Sequence, residues 1–113
     1  MNKKYKAIFS RFAEDDLFEI INYFYQIKLF YSKELLLTVE KRVKELEDNP
    51  LTGRVIPELE IQSILDYREL IQGNYRIVYS LQDRIITIHT IIDARRNFEE
   101  LIIKKLMRLY DRE

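Results

Sequence analysis

Cysteine is absent, so disulfides, thiolate chemistry and cysteine-held metals are excluded. Histidine occurs once, at His89, which rules out a multi-histidine zinc site. Glycine and proline number two each, and neither a glycine-rich phosphate loop, a nucleophile elbow nor a helical metal pair can be found. No metal and no cofactor are expected. An excess of charge of one sign is also missing. Lys+Arg and Asp+Glu both number 19, so no long-range field draws the chain onto nucleic acid, although a local basic patch remains allowed. Long apolar runs are lacking too. Ile8-Phe9 is only an apolar pair near the N-terminus, too short for a secretory h-region, and no stretch approaches a membrane span. The expectation is a cytoplasmic protein with no membrane partner.

What is present is enough for one core. At 113 residues, 47% of them hydrophobic, residues 1–113 are expected to form a single domain. Tyr5 to Phe9 reads as a short strand, and Ser10 caps a helix whose first turn carries Glu14, Asp15 and Asp16. Ala13, Leu17, Ile20, Ile21, Phe24 and Ile27, then Leu35, Leu36, Val39, Val43 and Leu46, recur at helical spacing. We read two helices, with Ser32 as the second N-cap, while one long helix over residues 11–49 stays open. Asn49-Pro50 ends the helical stretch, because Pro lacks an amide and displaces its predecessor from helical geometry. Residues 50–66 read as a connecting loop.

Beyond it the period changes to that of strands. Tyr67 to Ile71, Tyr75 to Leu81 and Arg84 to Ile92 are rich in Ile, Val, Tyr and Thr and are divided by Gly73-Asn74 and Gln82-Asp83. Asn97, with Glu100 three residues on, then caps a last helix striped by Phe98, Leu101, Ile102, Leu106 and Leu109. The expected fold is α+β, in the order β-α-α-β-β-β-α, with a helical hairpin packed on one face of a small antiparallel sheet.

Two-residue hairpin loops place Arg76 opposite His89, and Glu69 beside Val78 as a diagonal neighbour of Arg76. Tyr75, Ile77, Tyr79, Leu81, Ile86, Ile88 and Ile92 then face the helices, leaving Arg76, His89, Glu69 and Tyr67 on an open face. Two readings stand. In one, the guanidinium holds a phosphate and the imidazole moves a proton. In the other, Glu69 and Arg76 are a cross-strand ion pair beside a solvated histidine, which spacing alone favours. Arg95-Arg96, the only adjacent arginine pair, sits at a strand-to-helix junction and either meets a phosphate or an acidic partner or pairs with Asp93, Glu99 or Glu100.

Taken together, Asn49-Pro50-Leu51-Thr52-Gly53-Arg54, Ile56-Pro57-Glu58, Tyr67-Arg68-Glu69-Leu70, Tyr75-Arg76-Ile77-Val78-Tyr79 and Asp93-Ala94-Arg95-Arg96 resemble the RelE/ParE toxin superfamily. The resemblance spans nearly the whole chain. It implies a bacterial type II toxin neutralised by a cognate antitoxin, with operator DNA reached only through that antitoxin. The RelE branch cleaves mRNA on the ribosome, using lysines on the strand before the Tyr-Arg strand. The matching positions here are Tyr67 and Glu69. The run Asp93-Ala94-Arg95-Arg96-Asn97 is instead similar to the His-Gly-Arg-Arg-Asp run of ParE-like members, with Asp93 in place of the His. That branch poisons DNA gyrase without catalysis. The resemblance therefore implies a gyrase-binding protein with Arg95, Arg96 and Arg76 as target-binding residues. The antitoxin-binding residues stay unassigned. The alternative is a ribosome-dependent endoribonuclease, an enzyme acting on mRNA, with Arg76, Glu58 and His89 as its catalytic set.

Overall fold

The computed structural model describes residues 4–108, so Leu109 of the expected stripe lies outside the described residues. Strand β1 (Lys6–Phe9) is followed by helices α1 (Arg11–Ile27) and α2 (Leu29–Glu45), and a short strand β2 (Arg54–Val55) leads into one helical turn, α3 (Pro57–Glu60). Three longer strands follow, β3 (Tyr67–Gln72), β4 (Tyr75–Gln82) and β5 (Ile85–Asp93), before helix α4 (Phe98–Met107). The expected element order holds, with β2 and α3 added inside the segment read as loop. The sheet order is β1-β5-β4-β3-β2. It is mixed, since β1 runs parallel to β5 while the other pairs are antiparallel.

Both side-chain caps at the outer helices form as expected. Ser10 Oγ accepts from the Ala13 amide at 3.0 Å, and Asn97 Oδ1 accepts from the Glu100 amide at 3.4 Å. The hairpin breaks at Lys28 (φ −141°, ψ 82°), and Ser32 lies inside α2, its hydroxyl donating to the Leu29 carbonyl. Ser32 is therefore not the cap. The reason for the break is tertiary: Ala13 on α1 and Leu35, Val39 and Val43 on α2 bury against one core, which a single straight rod cannot do. Phe24 and Tyr31 close the turn edge to face, with centroids 4.8 Å apart.

The β3–β4 turn at Gly73-Asn74 is as expected, with Gly73 at φ +58°, and Glu69 pairs with Val78. The β4–β5 turn is not. Gln82 pairs with Ile85, so the loop is Asp83-Arg84, and a β-bulge at Val78/Tyr79 leaves His89 between the pairs Tyr79–Ile88 and Val78–Thr90. Arg76 consequently lies opposite Ile92, not His89. A bulge inserts one residue and reverses the alternation beyond it. Ile86, Ile88 and Ile91 enter the core beneath α1 and α2, whereas Ile92 moves to the opposite face. That face is not left open along its length. Val78 and Ile92 form a second core with Ile56, Leu59, Phe98 and Ile102, supplied by the 50–66 segment and α4.

Tyr79 joins the main core to the 50–66 segment. Its hydroxyl donates to the Pro50 carbonyl and accepts from the Gly53 amide, both at 2.8 Å, so a fully buried phenol has its polar end satisfied. A Cβ on Gly53 would stand 2.5 Å from that hydroxyl and 2.6 Å from the Glu69 carbonyl oxygen. Gly53→Ala is therefore expected to lower unfolding stability by about 1–3 kcal/mol through overpacking, read as a lower urea midpoint at unchanged m-value.

Candidate functional site

Arg76, Glu58 and Glu69 meet, although they come from β4, α3 and β3. Arg76 Nε donates to Glu69 Oε1 at 2.6 Å and Nη2 to Glu69 Oε2 at 2.8 Å. Its Nη1 and Nη2 donate to the two Glu58 oxygens at 2.9 and 2.8 Å. Arg54 Nε adds a second cation on Glu69 Oε2 at 2.8 Å, so two arginines balance two carboxylates. The Phe98 ring lies 3.4 Å beneath the Arg76 guanidinium carbon. Burial opposes the Arg76 charge, but the hydrogen bonds from both glutamates outweigh it and hold the arginine firmly protonated. The Arg76 hydrogen bonds likewise hold the Glu58 carboxyl below its usual range. Arg76 is nearly buried and its donors are already bound to anions. No phosphate can reach the guanidinium without displacing Glu58.

His89 stands elsewhere on the same face. Its Nε2 shares a 2.7 Å hydrogen bond with Ser80 Oγ, and its ring meets Tyr67 edge to face, centroids 5.4 Å apart. These groups line an open recess of about 620 Å³ with Leu51, Leu65 and Gln82. Burial pushes the imidazole below its ordinary value, which keeps it neutral near pH 7. The structure therefore does not bring His89 to Arg76 and Glu58.

Arg95 and Arg96 follow the end of β5 and are both exposed. Asp93, which stands where the ParE-like run has His, grips Arg95: its Oδ2 accepts from Nη2 at 2.8 Å and its Oδ1 from the Arg95 Nε and amide at 3.0 and 2.9 Å. Arg95 in turn holds the Asp93 carboxyl below its usual range. Arg96 makes no salt bridge among the described residues, although its charge adds to that of Arg95 in favouring the ionised Asp93. Both arginines border a cleft of about 460 Å³ between α1, the end of β5 and α4, walled by Tyr23, Phe24 and Tyr75.

One site residue escaped the sequence reading. Asp16 was expected as a first-turn helix acid, yet it is buried and accepts from Thr90 Oγ1, the Ile91 amide at 3.3 Å, Lys105 Nζ at 3.1 Å and Arg108 Nη2 at 3.0 Å. It ties α4 and β5 to α1. Burial alone would raise its pKa, but the bonds from Arg108 and Thr90 and the charge of Lys105 bring it below the usual range. The signal was there: Asp16 lies three residues from Ala13 and four from Ile20, on the apolar stripe. No cluster suited to a metal ion exists among the described residues, and none of their helices is long and apolar enough to cross a membrane.

Two outcomes follow. Arg76→Ala leaves the buried Glu69 carboxylate with Arg54 at the rim in place of two cations and should cost about 3 kcal/mol of stability, part of which returns when Glu69→Gln is added; denaturant titration of the single and double variants reads this. His89 sets a pH dependence of known sign. The unfolded chain binds a proton near pH 6.5 and the folded imidazole resists it, so stability present above that pH declines as pH falls toward the lowered folded value. Denaturation midpoints should drop across this window in the parent protein and level out in His89→Gln.

Comparison with known proteins adds the following. Residues 7–98 match the sequence profile of the ParE toxin of type II toxin–antitoxin systems, parDE. No curated protein matches the chain in sequence. Among solved structures, the chromosomal ParDE toxin–antitoxin system of P. aeruginosa is similar at a TM-score of 0.66 and 16% identity, over 81% of this chain and 98% of that one. The RelBE2 toxin–antitoxin complex of Mycobacterium tuberculosis is similar at a TM-score of 0.52 and 17% identity, over 82% and 93% of the two chains. At such identities the structural likeness concerns the fold, whereas the profile match covers most of the chain. On that match the chain belongs to the ParE toxin family of type II toxin–antitoxin systems.

Proposed function

We propose that this toxin acts by binding DNA gyrase, is neutralised by a cognate antitoxin, and performs no catalysis of its own. The observation that carries this reading is the state of Arg76. The RNA-cleaving set that the resemblance implies needs the Arg76 guanidinium free to take a scissile phosphate, and here that group is held by two carboxylates and stacked on Phe98. Its role is structural, through the β3–β4–α3 corner that it holds together. Arg95 and Arg96 are both exposed beside an aromatic-walled cleft, which is where an acidic surface of a protein target has something to bind. A balanced net charge also suits a protein target better than a long polyanion. The antitoxin partner is supported by the family match and by the two similar structures, both from toxin–antitoxin systems.

Ribosome-dependent mRNA cleavage is the second reading, and the recess around His89 is what favours it. A neutral imidazole hydrogen-bonded to Ser80 at 2.7 Å is in the right protonation state to accept a proton. Arg76 and Glu58 would then take no part in the chemistry.

Purified toxin should block supercoiling by gyrase and leave mRNA on translating ribosomes intact. Charge reversal at Arg95 and Arg96 together should reduce gyrase inhibition by roughly tenfold or more, in keeping with the loss of two interface arginines, without lowering the unfolding midpoint. Gyrase inhibition unaffected by that double reversal would remove Arg95 and Arg96 from the target surface, whereas mRNA cleavage that His89→Gln abolishes, in a chain that leaves gyrase active, would transfer the assignment to the second reading.

A further inference from the structure

The helical hairpin ends on side chains that its own packing does not use. Around the break at Lys28, Tyr23, Tyr25 and Ile27 of α1 and Leu29, Phe30 and Tyr31 of α2 are all exposed, Phe30 by 84%. The turn itself has no need of them, since the Lys28 backbone makes the break and Ser32, Leu35, Val39 and Val43 supply the buried side of α2. Apolar surface gathered at one end of a domain marks a place of contact. Half-buried Phe24 fixes the arrangement, meeting Tyr23 edge to face at 5.0 Å and Tyr31 at 4.8 Å. Rings braced in this way lose little freedom when a partner covers them, which is what an interface anchor requires.

Charge says what kind of partner fits. Residues 20–33 contain Lys28 and Lys33, both exposed, and no acidic residue. The patch is also continuous with the arginine cleft, because Tyr23 and Phe24 belong to the tip and to the wall beside Arg95 and Arg96. A surface that meets those arginines therefore reaches the tip. We propose that the hairpin tip is a second contact for the toxin's protein target, an acidic surface with an apolar hollow that takes Phe30 while carboxylates around it pair with Lys28 and Lys33. An anionic lipid surface also suits aromatic rings and lysines. The adjoining cleft, however, is lined by Glu19 and Asp93 as well as by arginines, and a uniformly negative sheet repels these carboxylates whereas a protein can meet them with cations of its own. The inference rests on the toxin reading for the identity of the partner. It adds that target recognition runs from the junction of β5 and α4 to the turn between α1 and α2, so toxicity depends on residues outside the Asp93 to Arg96 run.

The test compares the parent chain with Phe30→Ser, the double variant Lys28→Glu with Lys33→Glu, and Ile61→Ser. Ile61 is 86% exposed and borders neither the tip nor the cleft, so it controls for loss of an exposed apolar side chain. Both tip variants should need roughly tenfold or more protein to inhibit supercoiling by purified gyrase, the scale of a lost interface anchor, and should arrest growth less. Their urea midpoints and their affinity for the co-expressed antitoxin should match the parent, as should every property of Ile61→Ser. Parent-like inhibition and growth arrest in both tip variants overturns the inference. So do tip variants that lose antitoxin binding while inhibiting gyrase as the parent does. Retention of the parent on phosphatidylglycerol vesicles, lost in Phe30→Ser with gyrase inhibition unchanged, assigns the tip to lipid and overturns it too, as does a parent dimer that Phe30→Ser dissociates with inhibition unchanged. A toxic parent that leaves gyrase active would instead defeat the proposed target, and growth arrest would still report on the tip: weakened arrest in both variants upholds the contact, and full arrest in both removes it.

Discussion

A guanidinium taken out of water must have its donors answered, and Arg76 shows how much of this molecule is arranged to do so. Glu69 reaches it from the neighbouring strand, Glu58 from the turn of helix α3, and Phe98 from the start of α4. Those contacts come from three different elements, so one side chain on β4 ties together the 50–66 segment, β3 and the start of the last helix. The second core of Ile56, Leu59, Val78, Ile92, Phe98 and Ile102 fills in around the same point. Buried ion pairs add little net stability when complete and cost much when broken. The cluster therefore acts mainly to specify one arrangement of these segments over others.

The consequence for function is a division of labour among the arginines. Arg76 belongs to the interior, Arg54 shields Glu69 at the rim, and Arg95 and Arg96 are presented to solvent beyond β5. Asp93 adjusts this further. By chelating Arg95 through both carboxylate oxygens, it orients one guanidinium at the mouth of the cleft while Arg96 makes no salt bridge among the described residues. On the opposite face of the hairpin, Glu14 and Glu40 flank apolar surface. Helix α1 thus separates a cleft of mixed charge with aromatic walls, where Asp16, Glu19 and Asp93 meet Arg95, Arg96 and Lys105, from an apolar slot flanked by carboxylates alone.

Much of the fold could be read from periodicity. The caps at Ser10 and Asn97, the turn at Gly73-Asn74 and the pairing of Glu69 with Val78 all depend on residues within a few positions of one another, and each formed as expected. The ion pair between Glu69 and Arg76 follows from that register. The bulge at Val78/Tyr79 could not be read. The turn at Asp83-Arg84 together with this inserted residue moved His89 away from Arg76, and the bulge carried Ile92 to the other face and placed Ile91 in the main core; no glycine or proline announces it. The Lys28 break is similar: neither residue type marks it, and Ser32, the local candidate, lies inside α2.

The family and the β-α-α-β-β-β-α order were written in the sequence itself, because apolar spacing, caps and turn residues act over a few positions. Tertiary structure alone decided which charged groups are free. The junction that presents Arg95 and Arg96 is visible in the sequence, whereas the burial of Asp16 and Arg76, the meeting of Glu58 with Arg76 and the neutrality of His89 each depend on separate elements packing together.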